Sequence, residues 1–210
     1  VTTNQDGIHD NLEDIVSKYT FENYLRPVAS FSTDVWNEIL EWIGEDEVVF
    51  DLGCGVGASC TFLANKYPGL KIVGIDKSIS RLNRKNDFKD HLDKRIKLFR
   101  GELLDLIPLI YKSSTIKIHS IYLLYPNPYP KKIHIKKRFH GNPVSIFLFN
   151  IKAPINLRSN WKLYLEEFAF VGNLFQRNSS LDRIESPELI TPFEEKFFRS
   201  GQELFELRLS

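Results

Sequence analysis

The sequence predicts an α/β domain whose central sheet is mostly parallel and covered by helices on both faces. Three observations carry that expectation. Short apolar runs alternate along the chain with segments of helical periodicity. The first of these runs ends in a glycine cluster, Gly53, Gly55 and Gly57, and two later ones stop at Asp76 and at Tyr125-Pro126. Strands separated by helices are joined by crossovers and lie parallel, and ligands of such sheets bind beyond the carboxyl ends of the strands.

The first thirty residues are polar, with little periodicity, and form an N-terminal arm for which Tyr19, Phe21, Tyr24 and Leu25 are the expected anchors. Val35, Trp36, Ile39, Leu40 and Ile43 then recur at spacings of three and four. With Ser32 or Thr33 as N-cap and Gly44 just past the end, they predict a helix of about eleven residues. Val48, Val49, Phe50 and Leu52 make the first strand. A helix from about Ala58 to Lys66 leads through a Pro68-Gly69 turn to a second strand, Leu70 to Ile75, closing at Asp76. Another helix starts near Ser78, a third strand covers Ile96 to Phe99, and a further helix runs from about Leu103 to Tyr111. The fourth strand, roughly Ile118 to Leu124, is stopped by Tyr125-Pro126, because proline removes a donor and fixes its own φ.

With 210 residues the chain suits one domain with appendages. Hydrophobic residues at 42% and charged ones at 26% are the proportions of an ordinary soluble globular protein. No run approaches the roughly 18 uninterrupted apolar residues of a membrane helix. Together with the lack of a secretory signal, this leads us to expect a cytoplasmic protein without a membrane partner. Cys54 and Cys60 have no histidine or cysteine at metal-ligand spacing, so neither a metal site nor a disulfide framework is expected. A net charge of +1 argues against wholesale electrostatic binding of nucleic acid. Its distribution points the other way locally: Lys131, Lys132, Lys136, Lys137 and Arg138 crowd with His134 into a single octet.

Asp51-Leu52-Gly53-Cys54-Gly55-Val56-Gly57 follows a strand and opens a helix. Glycines are needed where the backbone turns sharply and approaches a ligand more closely than a Cβ allows. Asp76 lies twenty-three residues after Gly53, where a carboxylate accepts both ribose hydroxyls of a nucleoside. The glycines alone also satisfy the loose dinucleotide pattern, leaving a nicotinamide or flavin cofactor open. Asp51 favours S-adenosylmethionine, because a carboxylate attracts a cationic ligand and repels a pyrophosphate.

The segment from Tyr125 to Phe139 has prolines at 126, 128 and 130, which impose an extended, pre-shaped loop with little entropy to lose. Tyr125 and Tyr129 offer faces on which a displaced base could stack, and the basic residues that follow suit phosphates. Taken separately, a basic run is usually a solvated helix face, and prolines after a strand often only end it.

The glycine loop resembles motif I of class I methyltransferases, Asp76 their second acidic position, and Glu102 of Arg100-Gly101-Glu102-Leu103 their adenine-side acid. The proline block resembles the Phe-Pro-Asp-Pro-Trp-Pro-Lys-Lys-Arg-His signature of the bacterial tRNA (guanine-N7)-methyltransferases. Leu157 to Tyr164 is similar to that family's strand ending in Thr-Asp with a tyrosine four residues later, and Thr191-Pro192-Phe193-Glu194, followed by Gly201, to its Thr-x-Phe-Glu element. The resemblance runs from about residue 45 to the end, in order.

It implies a Rossmann-like class I methyltransferase fold over residues 31–210 behind an arm of residues 1–30. S-adenosyl-L-methionine is the implied cofactor and tRNA the implied partner, acted on at N7 of a guanine by a monomer or homodimer. By resemblance, Asp51, Gly53, Gly55, Asp76 and Glu102 surround the methyl donor. Asn127 faces the reacting base as the catalytic position. Asn160, Tyr164, Thr191 and Glu194 close the pocket, and Lys131, Lys132, His134, Lys136, Lys137 and Arg138 meet tRNA phosphates. Asn127 and Asn160 stand where the family has aspartates, Tyr129 where it has tryptophan, and Ile133 where it has arginine. The two amides keep beside the main reading a same-fold methyltransferase with another substrate, or a non-catalytic RNA-binding relative.

Overall fold

A computed structural model describes residues 3–84 and 93–210. The chain forms α1 (Leu12–Val16), α2 (Ser30–Ile43), β1 (Glu47–Leu52), α3 (Ala58–Lys66), β2 (Lys71–Asp76), α4 (Ile79–Leu82) and β3 (Ile96–Arg100). It continues with α5 (Leu103–Lys112), β4 (Lys117–Leu124), two 3₁₀ turns (Lys132–Lys137 and Phe139–Gly141) and α6 (Ser145–Asn150). The last elements are β5 (Ile155–Ser159), α7 (Lys162–Leu174), β6 (Ser179–Arg183), α8 (Pro192–Arg199) and β7 (Phe205–Leu209). The helix expected from Ser78 covers four residues, with Ser78 as its N-cap. Residues 85–92 lie outside the described residues, and so does any part of that expectation that falls on them.

The strands form one sheet in the order β3-β2-β1-β4-β5-β7-β6, parallel except for β7, which runs antiparallel to both β5 and β6. Alternate residues of the central strands enter opposite cores. Val48, Phe50, Leu52, Val73, Ile75, Ile121 and Leu123 pack on one side, and Val49, Ile72, Tyr122 and Leu124 on the other. Burial on both faces is why these strands read as continuous apolar runs. Chain order reverses between β1 and β4, so the crevice beyond their carboxyl ends, where Gly53 and Tyr125 begin their loops, is the expected ligand position.

The arm is tied down by residues that show no pattern in the sequence. Leu12 and Val16, on one turn of helix, are buried in the larger core. Of the expected anchors, the Tyr19 hydroxyl donates to the Gly141 carbonyl at 2.9 Å, and Phe21 stacks on Tyr111 with centroids 5.1 Å apart. Tyr24 donates to the Leu104 carbonyl at 2.6 Å. Pro108, four residues further along α5, has no N–H for that carbonyl, and the arm's tyrosine takes the vacant place. Leu25 corrects the expectation: it is 86% exposed and anchors nothing. The helix expected near Thr33 starts earlier, at Ser30. Ser32 is not its cap but sends its hydroxyl into the interior, to Asp105 at 2.8 Å.

Candidate functional site

The glycine loop turns out of β1 with φ of +90° at Gly53, +60° at Gly55 and +88° at Gly57, a region that disfavours side chains. A Cβ on Gly57 would lie 2.7 Å from Leu98, whereas one on Gly53 or Gly55 would meet no protein atom and would occupy the crevice. Gly53 N–H donates to the Ile75 carbonyl at 2.7 Å and Gly55 N–H to Asp76 Oδ2 at 3.0 Å, so the loop is pinned to the end of β2. Asp76 also accepts from Ser78 N–H at 2.8 Å and pairs with Arg81 at 3.0 Å. Glu102 caps α5 through the Leu104 N–H, and both carboxylates line a cleft of about 830 Å³.

Asp51 lies behind this wall, fully buried, with the Ser59 hydroxyl and the Cys60 thiol donating to Oδ2. Among the described residues its Oδ1 has no partner. Burial pushes its pKa up to about 6, opposed by those two hydrogen bonds and reinforced by the negative charge of Asp76. An orphan carboxylate oxygen beneath glycines that leave room for a ligand, with two more carboxylates on the rim, fits a cationic nucleoside. Through Ser59 and Cys60, Asp51 pins the start of α3.

The opposite wall is the proline block. Tyr125 at φ +51° and Tyr129 at φ +43° sit in the left-handed region, a local cost of about 1–3 kcal/mol each that marks a constrained loop. Asn127 Oδ1 accepts from Tyr129 N–H at 3.3 Å, leaving its NH2 group for the cleft. Asn160 donates to Gln202 Oε1 at 2.7 Å, leaving its own oxygen free to accept. Lys136 and Lys137 line the same cleft, with the Lys137 ammonium 5.9 Å from the Tyr129 ring centre. Lys131 and Lys136 are exposed. Lys132 pairs with Asp10 of the arm at 2.5 Å. His134 packs edge-on to Tyr129, its pKa held below the usual value by partial desolvation and then by Lys137 and Lys131.

Three expected site residues are corrected. Arg138 is fully buried, so it offers no donor to a phosphate. It lies three residues after Ile135, and in a 3₁₀ turn that spacing returns both side chains to the buried face. Tyr164 is fully buried against His140, 4.8 Å between ring centres. Glu194 is buried and pairs with Arg158 at 2.9 Å, bracing the wall from within. Thr191 caps α8 through the Glu194 N–H and lines a smaller adjoining cavity of about 380 Å³, so of the four expected closing residues only Asn160 lines the main cleft. Lys77, Arg81, Phe193 and Gln202, which sequence reasoning missed, also line it. Phe193 stands inside the Thr191-Pro192-Phe193-Glu194 element, whereas Lys77, Arg81 and Gln202 fall in no pattern of spacing or composition. Among the described residues no cluster of histidine, cysteine or acids could hold a metal ion, and no helix is long and apolar enough to cross a membrane.

A family profile described as "Putative methyltransferase" matches residues 45–207. The tRNA (guanine-N(7)-)-methyltransferase of Mycolicibacterium gilvum is 29% identical over 54% of this chain, a match spanning only 43% of that relative's length. The enzyme of the same name from Staphylococcus haemolyticus is 23% identical over 80% of this chain and 82% of its own. A carboxy-S-adenosyl-L-methionine synthase of a Shewanella species is likewise 23% identical, over 99% of this chain and 94% of its own. Among solved structures, the 16S rRNA methyltransferase KamB superposes with a TM-score of 0.59 at 12% identity, covering 91% of this chain and 97% of that one. Fold and family together define the class: the chain has the fold of the class I S-adenosylmethionine-dependent methyltransferases. Within that class the chain belongs to the family of the tRNA (guanine-N7)-methyltransferases, as a divergent member.

Proposed function

We propose that the chain transfers the methyl group of S-adenosylmethionine to N7 of a guanine in tRNA. The observation that carries this reading is one cleft, at the reversal of the sheet, walled on one side by Asp76 and Glu102 and on the other by Tyr125, Asn127, Tyr129, Lys136 and Lys137. Asp76 accepts the ribose hydroxyls, Glu102 lies on the adenine side, and Gly53 and Gly55 let the backbone approach. When bound, the donor supplies an electrophilic methyl on a sulfonium. Guanine N7 carries a free lone pair, so no side chain must remove a proton first, and alignment of the base accounts for much of the rate.

Tyr129 stacks on the base, the free NH2 of Asn127 donates to an acceptor on its edge, and the Asn160 oxygen accepts from guanine N1 or N2. Lys131, Lys136 and Lys137, flanked by Lys132 and His134, take the phosphates. Neither amide offsets the positive charge that appears on the methylated ring. Each missing charge-assisted bond costs about 1–3 kcal/mol, so turnover is slow. A tRNA substrate assigns the protein to the cytoplasm.

The test is incubation with unmodified tRNA and labelled S-adenosylmethionine, then nuclease digestion and identification of the labelled nucleoside. 7-Methylguanosine supports the proposal. Asn127 and Asn160 in place of acids favour one second reading, a methyltransferase of this fold acting on another base, and a different labelled nucleoside would establish it.

A further inference from the structure

Among the described residues Arg138 is the largest fully buried side chain, yet it belongs to the basic octet. Its guanidinium is held from four directions. One nitrogen donates to Glu167, a second donates to Gln5 Oε1 at 3.1 Å, and the plane lies 4.8 Å from the Trp161 ring centre. Nε and the same Nη2 that reaches Gln5 converge on the backbone carbonyl of Tyr129 at 3.2 and 3.1 Å. Glu167 in turn accepts from Gln5 at 2.5 Å, from His9 N–H at 3.0 Å and from His140 at 2.9 Å. Burial alone would raise its pKa, but His140, Arg138 and Gln5 hold it down to about 2, so Glu167 is ionised opposite the guanidinium, while burial keeps the His140 pKa below its usual value.

Tyr129 is a non-glycine residue at φ +43°, a conformation that persists only when its surroundings over-determine it. Asn127 holds its N–H and Arg138 holds its carbonyl, so the residue is clamped on both sides of its Cα. A guanidinium fork can grip one carbonyl through two N–H groups while pairing a carboxylate; an ammonium cannot do both in one plane.

We infer that Arg138 is a positioning residue, which sets the Tyr129 ring in the cleft, and that Gln5 of the N-terminal arm completes the clamp. The arm is thereby part of the substrate wall. This inference rests on the proposed tRNA reading for its kinetic consequence but not for its structural one.

The test uses the full chain with Arg138→Lys, Gln5→Ala and Tyr129→Ala, and two readouts. Protein labelled with 3-fluorotyrosine gives a fluorine NMR line for Tyr129, assigned as the one missing in Tyr129→Phe. The expected result is a shifted or broadened Tyr129 line in Arg138→Lys, a smaller change in Gln5→Ala, and unchanged donor affinity in both. Labelling of tRNA should fall about tenfold in kcat/KM for Arg138→Lys, as expected for removing one charge-assisted hydrogen bond, and by no more than about twofold when the change is made on Tyr129→Ala. An unmoved Tyr129 line in folded Arg138→Lys, or effects that multiply in the double variant, would overturn the inference. If Arg138→Lys does not fold, the line in Gln5→Ala decides alone. If the wild type labels no tRNA, the proposed activity fails, while the NMR line still judges the clamp.

Discussion

The backbone N–H of Gly55 donates to the carboxylate of Asp76 at 3.0 Å, joining the glycine loop to the end of the neighbouring strand. This hydrogen bond couples the shape of the loop to the direction of the acid, which Ser78 N–H and Arg81 hold from the other side. Under the proposed function, a donor held by Asp76 also lies against Gly53, which lines the same cleft.

Asp76→Asn keeps the size of the side chain and removes its charge and one acceptor for a ribose hydroxyl. We expect donor affinity to fall about ten- to a hundredfold, equivalent to about 1.5–3 kcal/mol, in titration calorimetry. Affinity equal to wild type would remove Asp76 from the donor site.

Asp51 titrates at about 6 in the folded protein, against an ordinary 3.8. A sulfonium cation binds its ionised form better, so donor affinity is full above pH 6 and declines as pH falls through it, by up to about tenfold at pH 5. Without donor the sign is opposite for stability: a raised carboxylate pKa makes the free fold gain stability as pH drops from 6 towards 3.8. Affinity measured at about pH 5 and 7.5, in wild type and in Asp51→Asn, checks the first statement. The variant should be flat over that range.

The two leucines of the arm separate anchoring from mere hydrophobicity. Leu12, fully buried, should cost about 2–5 kcal/mol as Leu12→Ala in urea unfolding, and Leu25, 86% exposed, under about 0.5 kcal/mol as Leu25→Ala. Equal effects would contradict the described packing of the arm.

Charge reversal of Lys136 and Lys137 should flatten the salt dependence of tRNA binding, lowering the slope by about 0.9 for each phosphate that is no longer neutralised. An unchanged slope would take these two lysines out of the interface.

The sheet and the glycine loop were legible because physical constraint wrote them into local sequence. Burial on both faces demands unbroken apolar strands such as Val48–Phe50, and positive φ at Gly53 and Gly55 demands glycine. The bounds of α3 coincide with those read from its residues. In the arm the aromatic anchors Tyr19, Phe21 and Tyr24 were legible, but Leu12 and Val16 were not, because the single turn carrying them is too short to show a period. Within the basic octet, Lys136 and Arg138 look alike as cations. What separates them is Glu167, twenty-nine residues downstream on α7, and nothing in local spacing pairs it with Arg138. Gln202 reaches Asn160 only because β7 folds back beside β5.

The most direct test of the account replaces the target atom itself. A tRNA transcribed with 7-deazaguanosine has a C–H in place of the N7 lone pair but keeps its Watson–Crick edge. Incubated with the protein and labelled S-adenosylmethionine, the normal transcript should take up label and the 7-deaza transcript none, with tRNA affinity similar for both. Equal labelling of the two transcripts would contradict methyl transfer to N7.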